Sequence, residues 1–187
     1  MRILGVDPGS RLTGYGCIDV ITANRFVHIS SGTIKLANTS GKATIPLETR
    51  LLALYHGLVD VIDEFKPQIL VVENVFFAKN AVSALKLGQA RGAVLLTGKL
   101  KNLQIAEYSP TQVKKAVVGH GLADKEQVAK MIQLVLGRDP NGKLLEFATA
   151  DASDALALAI CHGLTARKGN QVLMGGGHDR ISARTNR

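Results

Sequence analysis

Two short apolar runs stand out along the chain, Arg2-Ile3-Leu4-Gly5-Val6-Asp7 and Ile69-Leu70-Val71-Val72-Glu73, and both close on a carboxylate. A near-continuous apolar run of this length, bounded by turn residues, is the pattern of a strand covered on both faces in an α/β sheet. After the Pro8-Gly9-Ser10 turn, residues 13–21 alternate well enough for a second strand. An Ala23-Asn24 turn leads into a third, residues 25–34, in which Phe26, Val27, Ile29 and Ile34 are apolar. Connections this short predict an antiparallel meander. Gly14 and Gly16, inside the second strand, fit either the close approach of another backbone or ligand, or looser packing. Residues 35–44 are polar and read as a surface loop.

The period then changes. Leu47, Leu51, Leu54, Leu58, Val61, Ile62 and Phe65 recur at helical spacing behind Pro46, and Lys66-Pro67 stops that helix. Strand, helical crossover and the apolar run at 69–73 predict a parallel pair. Asp7 and Glu73 then share the carboxyl edge, where open α/β sheets hold their ligands. Residues 74–79 form a loop carrying Phe76-Phe77, a pair either tucked into the core or exposed for contact. Residues 80–99 are helical and rich in small side chains (Ala81, Ala84, Gly88, Ala90, Gly92, Ala93), which suits sheet packing or a twofold helix interface. Residues 104–108 give a fifth strand. Ser109-Pro110-Thr111-Gln112 and Asp124-Lys125-Glu126-Gln127 are capping boxes that open two further helices, separated by a break at Gly119-His120-Gly121. After a loop at 138–148, a last helix begins near Asp151 and carries Asp154, Leu156, Leu158, Ile160 and Leu164. The expectation is an α/β domain over residues 1–166, a five-stranded mixed sheet with helices on both faces, followed by a tail at 167–187.

Composition agrees with one ordinary globular domain: 187 residues, 46% hydrophobic and 20% charged, can bury a proper core. No apolar run reaches the length of a membrane span and the N-terminus lacks a secretory pattern, so a cytoplasmic protein is expected, with no membrane partner. Cys17 and Cys161 stand alone, without metal-type spacing, and read as reduced core thiols. Charge adds more. The chain carries +8, and the tail at 167–187 holds five basic residues against one acid, leaving +4 on the body. A basic protein that gathers acids at one edge points to a polyanionic partner with a metal between them. A tail that merely aids solubility accounts for the same charge. Gly-rich and short of apolar residues, that tail is expected to be disordered.

The acids carry the chemistry. Asp151 and Asp154 are three apart and project from one face of the first turn of their helix. Each acid has an ordinary reading: Asp7 caps its own turn, and the Asp pair favours a helix N-terminus by about 0.3–1 kcal/mol each. Taken together they read differently. Two end adjacent parallel strands, and two begin a helix that must pack on that sheet. Four carboxylates within reach of one another repel strongly unless protons or a cation intervene. Oxygen-only donors select Mg²⁺ or Mn²⁺ over Zn²⁺, and the scattered histidines argue further against zinc. Paired Mg²⁺ ions suit in-line attack of water on a phosphodiester, one activating the water and the other stabilising the leaving oxygen.

This order of strand-Asp, meander, helix, strand-Glu and late helix-Asp pair resembles the ribonuclease-H-like nucleases, and within them the RuvC family of bacterial Holliday-junction resolvases. The matching stretches are Gly5-Val6-Asp7-Pro8-Gly9-Ser10-Arg11-Leu12-Thr13-Gly14-Tyr15-Gly16, Glu73-Asn74-Val75-Phe76-Phe77-Ala78-Lys79-Asn80, Ser83-Ala84-Leu85-Lys86-Leu87-Gly88-Gln89-Ala90-Arg91-Gly92 and Ala150-Asp151-Ala152-Ser153-Asp154-Ala155-Leu156-Ala157. The third separates this family from other ribonuclease-H-like enzymes. The resemblance implies a Mg²⁺-dependent crossover junction endodeoxyribonuclease of recombination and repair. It would work as a homodimer that nicks two strands of a four-way DNA junction symmetrically, with the RuvA and RuvB branch-migration proteins as partners. It assigns catalysis and metal binding to Asp7, Glu73, Asp151 and Asp154, with two Mg²⁺ per subunit and Mn²⁺ as a substitute. It also places Phe76 at the junction centre and Lys114 and Lys125 near the scissile phosphate; without it, either lysine reads as a solvated surface charge. Residues 138–148 look longer than is usual in the family and the tail matches no motif, so no role passes to either. Two rivals stand beside this reading. An actin-like phosphate-binding domain shares the sheet but needs a second comparable domain, and the chain has no internal repeat. A non-catalytic junction-binding module would be signalled by loss of one of the four acids, and all four are present.

Overall fold

The first strand, β1 (Arg2–Asp7), lies at the centre of a five-stranded sheet. The elements that follow are β2 (Leu12–Thr22), β3 (Arg25–Lys35), α1 (Leu47–Phe65), β4 (Ile69–Glu73), α2 (Ala81–Leu100), β5 (Gln104–Tyr108), α3 (Pro110–Val118), α4 (Lys125–Leu136) and α5 (Ala150–Met174). The computed structural model describes residues 1–22, 25–36, 45–74, 81–137 and 144–174, with side chains as far as 166. Phe76 and Phe77 lie outside the described residues, as do most of the loop expected at 35–44, the first half of 138–148 and the chain beyond Met174.

The sheet order is β3-β2-β1-β4-β5. β1, β2 and β3 form the antiparallel meander that short turns dictate, while β4 pairs parallel with β1 and β5 parallel with β4. Val6 lies opposite Val72, so the next residues along, Asp7 and Glu73, leave the sheet side by side at its carboxyl edge. β1 and β4 are covered on both faces, as their unbroken apolar runs require. On one side Ile3, Ile18 and Val71 meet α3, α4 and α5; on the other Leu4, Val6, Leu70 and Val72 meet α1 and α2.

Helix ends follow the local chemistry. Ser109 and Asp124 each accept from the amide three residues on, and Gln112 and Gln127 bond back, so both capping boxes form. Lys66 ends α1 in the left-handed conformation, its amide donating to the Ile62 carbonyl. Thr149 caps α5: its hydroxyl oxygen accepts from the Ala152 amide at 3.1 Å. At the other end of the sheet, Arg2 grips Asp19 with two bonds of 3.0 and 2.7 Å, so it does not serve Asp7. α5 continues to Met174, past the boundary at 166 expected from composition. Leu36, expected in a polar surface loop, is 3% exposed and packs with Leu54 and Leu58, its amide held by the Arg11 carbonyl.

What lets α5 lie on the sheet is a set of missing side chains. A methyl group built on Gly5 would overlap the Ala155 carbonyl and come within 2.9 Å of the Ala159 amide nitrogen. On Gly16 it would stand 2.6 Å from Leu156 Cγ, and on Gly14 it would overlap the Asp151 carbonyl. Of the two readings open for Gly14 and Gly16, the close approach of another backbone is the one realised. α5 is also tied to β5, where the Tyr108 hydroxyl sits 2.9 Å from His162 Nδ1 and 2.8 Å from the Thr165 hydroxyl.

Candidate active site

The four acids predicted to act together do converge. Asp7 and Glu73 come from adjacent parallel strands, and Asp7 lies opposite Gly14 in the antiparallel pair. Because Gly14 carries no side chain, the first turn of α5 sits directly on it and brings Asp151 and Asp154 towards Asp7. Burial, and then the charges of Glu73, Asp154 and Asp151, push the Asp7 carboxyl up to about 7, with Lys125 pulling the other way. Burial and Asp154 raise Glu73 likewise.

Asp7, Glu73 and Asp154 line a cleft of about 360 Å³ together with Lys114 and Lys125. Pro110 and Lys125, the first residues of α3 and α4, are also in its wall, so two helix N-termini face the same space. Lys125 Nζ lies 2.8 Å from Asp154 Oδ2, and that bond holds the ammonium protonated. Its side chain is 77% exposed, so the pair adds little to stability and leaves the charge within reach of a ligand.

Three residues that the sequence did not single out hold the acids in place. The Arg91 guanidinium donates from Nε to the Glu73 carbonyl at 3.2 Å and pairs with Glu107, tying the end of β4 to α2 and β5. The buried Thr13 hydroxyl bonds both the amide and the carbonyl of Gly9, fixing the turn after Asp7. Thr149 fixes the start of α5. No local pattern marks Arg91 or Thr13, but Thr149 two residues before Asp151 is a helix-capping signal that reading the acids alone passed over.

The residues fit a hard divalent cation. Among the described residues no three donors are yet drawn around one point. The donor set is nevertheless carboxylate only, and Asp7, raised by burial first and by its three acidic neighbours after that, carries a charge that a cation would neutralise. A pH dependence follows. A carboxyl raised in the folded state favours folding while protonated, and that advantage disappears as pH climbs through the folded-state value. In EDTA, wild type should therefore lose stability relative to Asp7→Asn between pH 4 and about 7. The rise of Asp7 limits the loss to roughly 4 kcal/mol. Denaturant titrations of the two proteins across this range measure it, and parallel curves would show that the cluster is already compensated.

A family model described as crossover junction endodeoxyribonuclease RuvC matches residues 3–162. The crossover junction endodeoxyribonuclease RuvC of Geobacter sulfurreducens is 51% identical over 166 residues, covering 89% of this chain and 94% of the relative. The structure of Thermus thermophilus RuvC in complex with a Holliday junction substrate superposes with a TM-score of 0.78 at 31% identity, over 90% of this chain and 96% of that one. The yeast mitochondrial Holliday junction resolvase Ydc2 shares the fold alone, with a TM-score of 0.61 at 13% identity over 92% of this chain and 85% of that one. The chain therefore belongs to the RuvC family of crossover junction endodeoxyribonucleases.

Proposed function

We propose that this protein resolves four-way DNA junctions in recombination and repair by nicking two strands symmetrically, as a homodimer. We assign the phosphodiester chemistry to Asp7, Glu73, Asp151 and Asp154. The observation that carries this reading is that Asp7, Glu73 and Asp154 line one cleft with two lysines and the first residues of two helices, with Asp151 near enough to raise the Asp7 carboxyl. The four carboxylates would hold the divalent cations, Mg²⁺ or Mn²⁺ and two per subunit, and with them would come a lower pKa for the attacking water and neutralised charge on the leaving oxygen.

The protein groups set the stage for that step. Lys114 and the N-termini of α3 and α4 attract the phosphate and fix it over the acids. Lys125 holds Asp154, and its largely exposed ammonium is within reach of a phosphate lying in the cleft. Buried Asp7 must lose its proton before it can hold a cation, and burial together with the three neighbouring acids makes it the acid that gives that proton up last.

Two active sites on one junction need two copies of the chain, and α2 offers the surface. Leu85 and Leu96 are 69% and 61% exposed, and Gly88 and Gly92 between them have nothing within 4 Å of where a Cβ would stand. The four fall at helical spacing in one stripe that a second α2 can approach closely. Phe76, three residues after Glu73 in the sequence, is assigned to the crossover. There base stacking is interrupted, and an aromatic ring can insert at far lower cost than into intact duplex.

In Mg²⁺, a synthetic immobile junction with varied central sequences should be nicked at two symmetry-related positions, and matched linear duplex and RNA–DNA hybrid far less. Phe76→Ala should reduce junction cleavage while binding persists through the phosphate contacts. Efficient cutting of the hybrid would place the protein with ribonuclease H instead.

A further inference from the structure

On the far side of the Lys125–Asp154 pair from the catalytic cleft lies a second opening, of about 330 Å³. Phe147, from the segment leading into α5, forms one wall, and Ala129 of α4 and Ala150 of α5 form others. Phe147 is half-buried and packs on the core, so its ring is held in place. Five of its eight lining residues are polar: Glu126 on α4, the Thr149 hydroxyl that caps α5, Ser153, and Lys125 and Asp154, which are paired with each other at 2.8 Å. The opening shares Lys125 and Asp154 with the catalytic cleft, so the two meet at that pair.

The shared pair narrows the occupant. A strand laid through the cleft over Asp7, Glu73 and Asp154 would carry its adjoining nucleotide past the Lys125–Asp154 pair that the two openings share. A second phosphate is a poor fit there, because Lys125 is already paired with Asp154 and the rest of the lining is an aromatic ring, two alanines, two hydroxyls and the negative charge of Glu126. A nucleobase is a good one, because its faces are apolar and stack on aromatic rings while its edge needs a few hydrogen-bonding groups. Resting on the proposed junction cleavage, we infer that this pocket receives a base next to the scissile phosphate and sets a base preference at the cut. The base stacks on Phe147, and its edge is read by Glu126 and Thr149. The cost of unstacking such a base is lowest at a crossover.

Ala129→Leu fills the pocket from α4, and Glu126→Gln exchanges an acceptor-only edge for one that also donates. Both full-length variants and wild type should be given junctions carrying each of the four bases on either side of the cut. The expected result is that Ala129→Leu shrinks the rate difference between best and worst base by about tenfold, and that Glu126→Gln changes the order of preference. A second reading needs no cleavage. With 2-aminopurine beside the cut, binding of Asp7→Asn should quench the probe by stacking, and the double variant with Ala129→Leu should leave it bright. An unchanged base profile in both variants, or a probe as bright bound as free, overturns the pocket. Wild type that quenches the probe but cuts no junction would instead overturn the proposed function and leave the pocket standing. If Ala129→Leu unfolds, Glu126→Gln, on the exposed side of α4, decides the matter alone.

Discussion

Asp7→Asn is expected to lower junction cleavage in Mg²⁺ by about a thousandfold or more while the protein stays folded and still binds junctions. The substitution keeps the shape of the side chain and removes one charge. Catalysis of this kind is mostly the placement of charge, and losing a single electrostatic contact of an active site costs about 10²–10³ in rate. Asp7 should exceed that figure, because it lies near enough to feel the charges of all three other acids, so its loss disturbs the whole ligand set. Folding gains rather than loses. The carboxyl is raised by burial and by three like charges, so a neutral amide removes repulsion in the metal-free protein. Single-turnover cleavage in Mg²⁺, junction binding in EDTA and thermal unfolding together separate these effects. Retained cleavage by the variant, or full wild-type activity in excess EDTA, would remove the acids from the chemistry and leave family membership as a statement of fold and descent.

The parts of this protein that were legible in its sequence are those decided by local physics. Apolar runs closing on Asp7 and Glu73 gave two buried strands, because a strand covered on both faces needs no polar alternation. Both capping boxes formed as read, since their bonds lie within four residues. What stayed open was decided at long range. A glycine in a strand looks the same whether it loosens packing or admits a helix, and only the path of α5 distinguishes Gly14 and Gly16. α2 is apolar on two sides: Ala90 and Val94 face the core, and Leu85 and Leu96 face outward. Its periodicity therefore pointed to neither sheet packing nor a helix interface. Leu36 is one apolar residue after a polar strand end, and nothing local announces its burial on α1. Arg91 is one cation on a helix until the fold brings it to the Glu73 carbonyl. The composition break at 167 marks where apolar residues thin out. Hydrogen bonding within a helix does not require them, and α5 runs on to Met174.

The same long-range contact sets the second large effect, that of Gly14→Ala. The added methyl would overlap the Asp151 carbonyl and stand 3.0 Å from its Cβ, and neither the strand nor a helix backbone can rotate out of the way. The first turn of α5 must lift or the edge of β2 must bend. Overpacking of this kind costs about 1–3 kcal/mol. The effect on cleavage should be larger than on stability, since displacing a reacting group by about 1 Å costs on the order of a hundredfold. Gly16→Ala is the control. Its methyl would collide with Leu156, one turn beyond Asp151 and away from the acids, so it strains the same helix without moving the same carboxylates. Unfolding midpoints and cleavage rates of the two variants should then separate, with similar losses of stability and a much deeper loss of cleavage for Gly14→Ala. Equal cleavage losses at equal stability would mean that α5 moves as one rigid rod on the sheet. The acids would then be placed by the whole helix, and not by the one contact at Gly14.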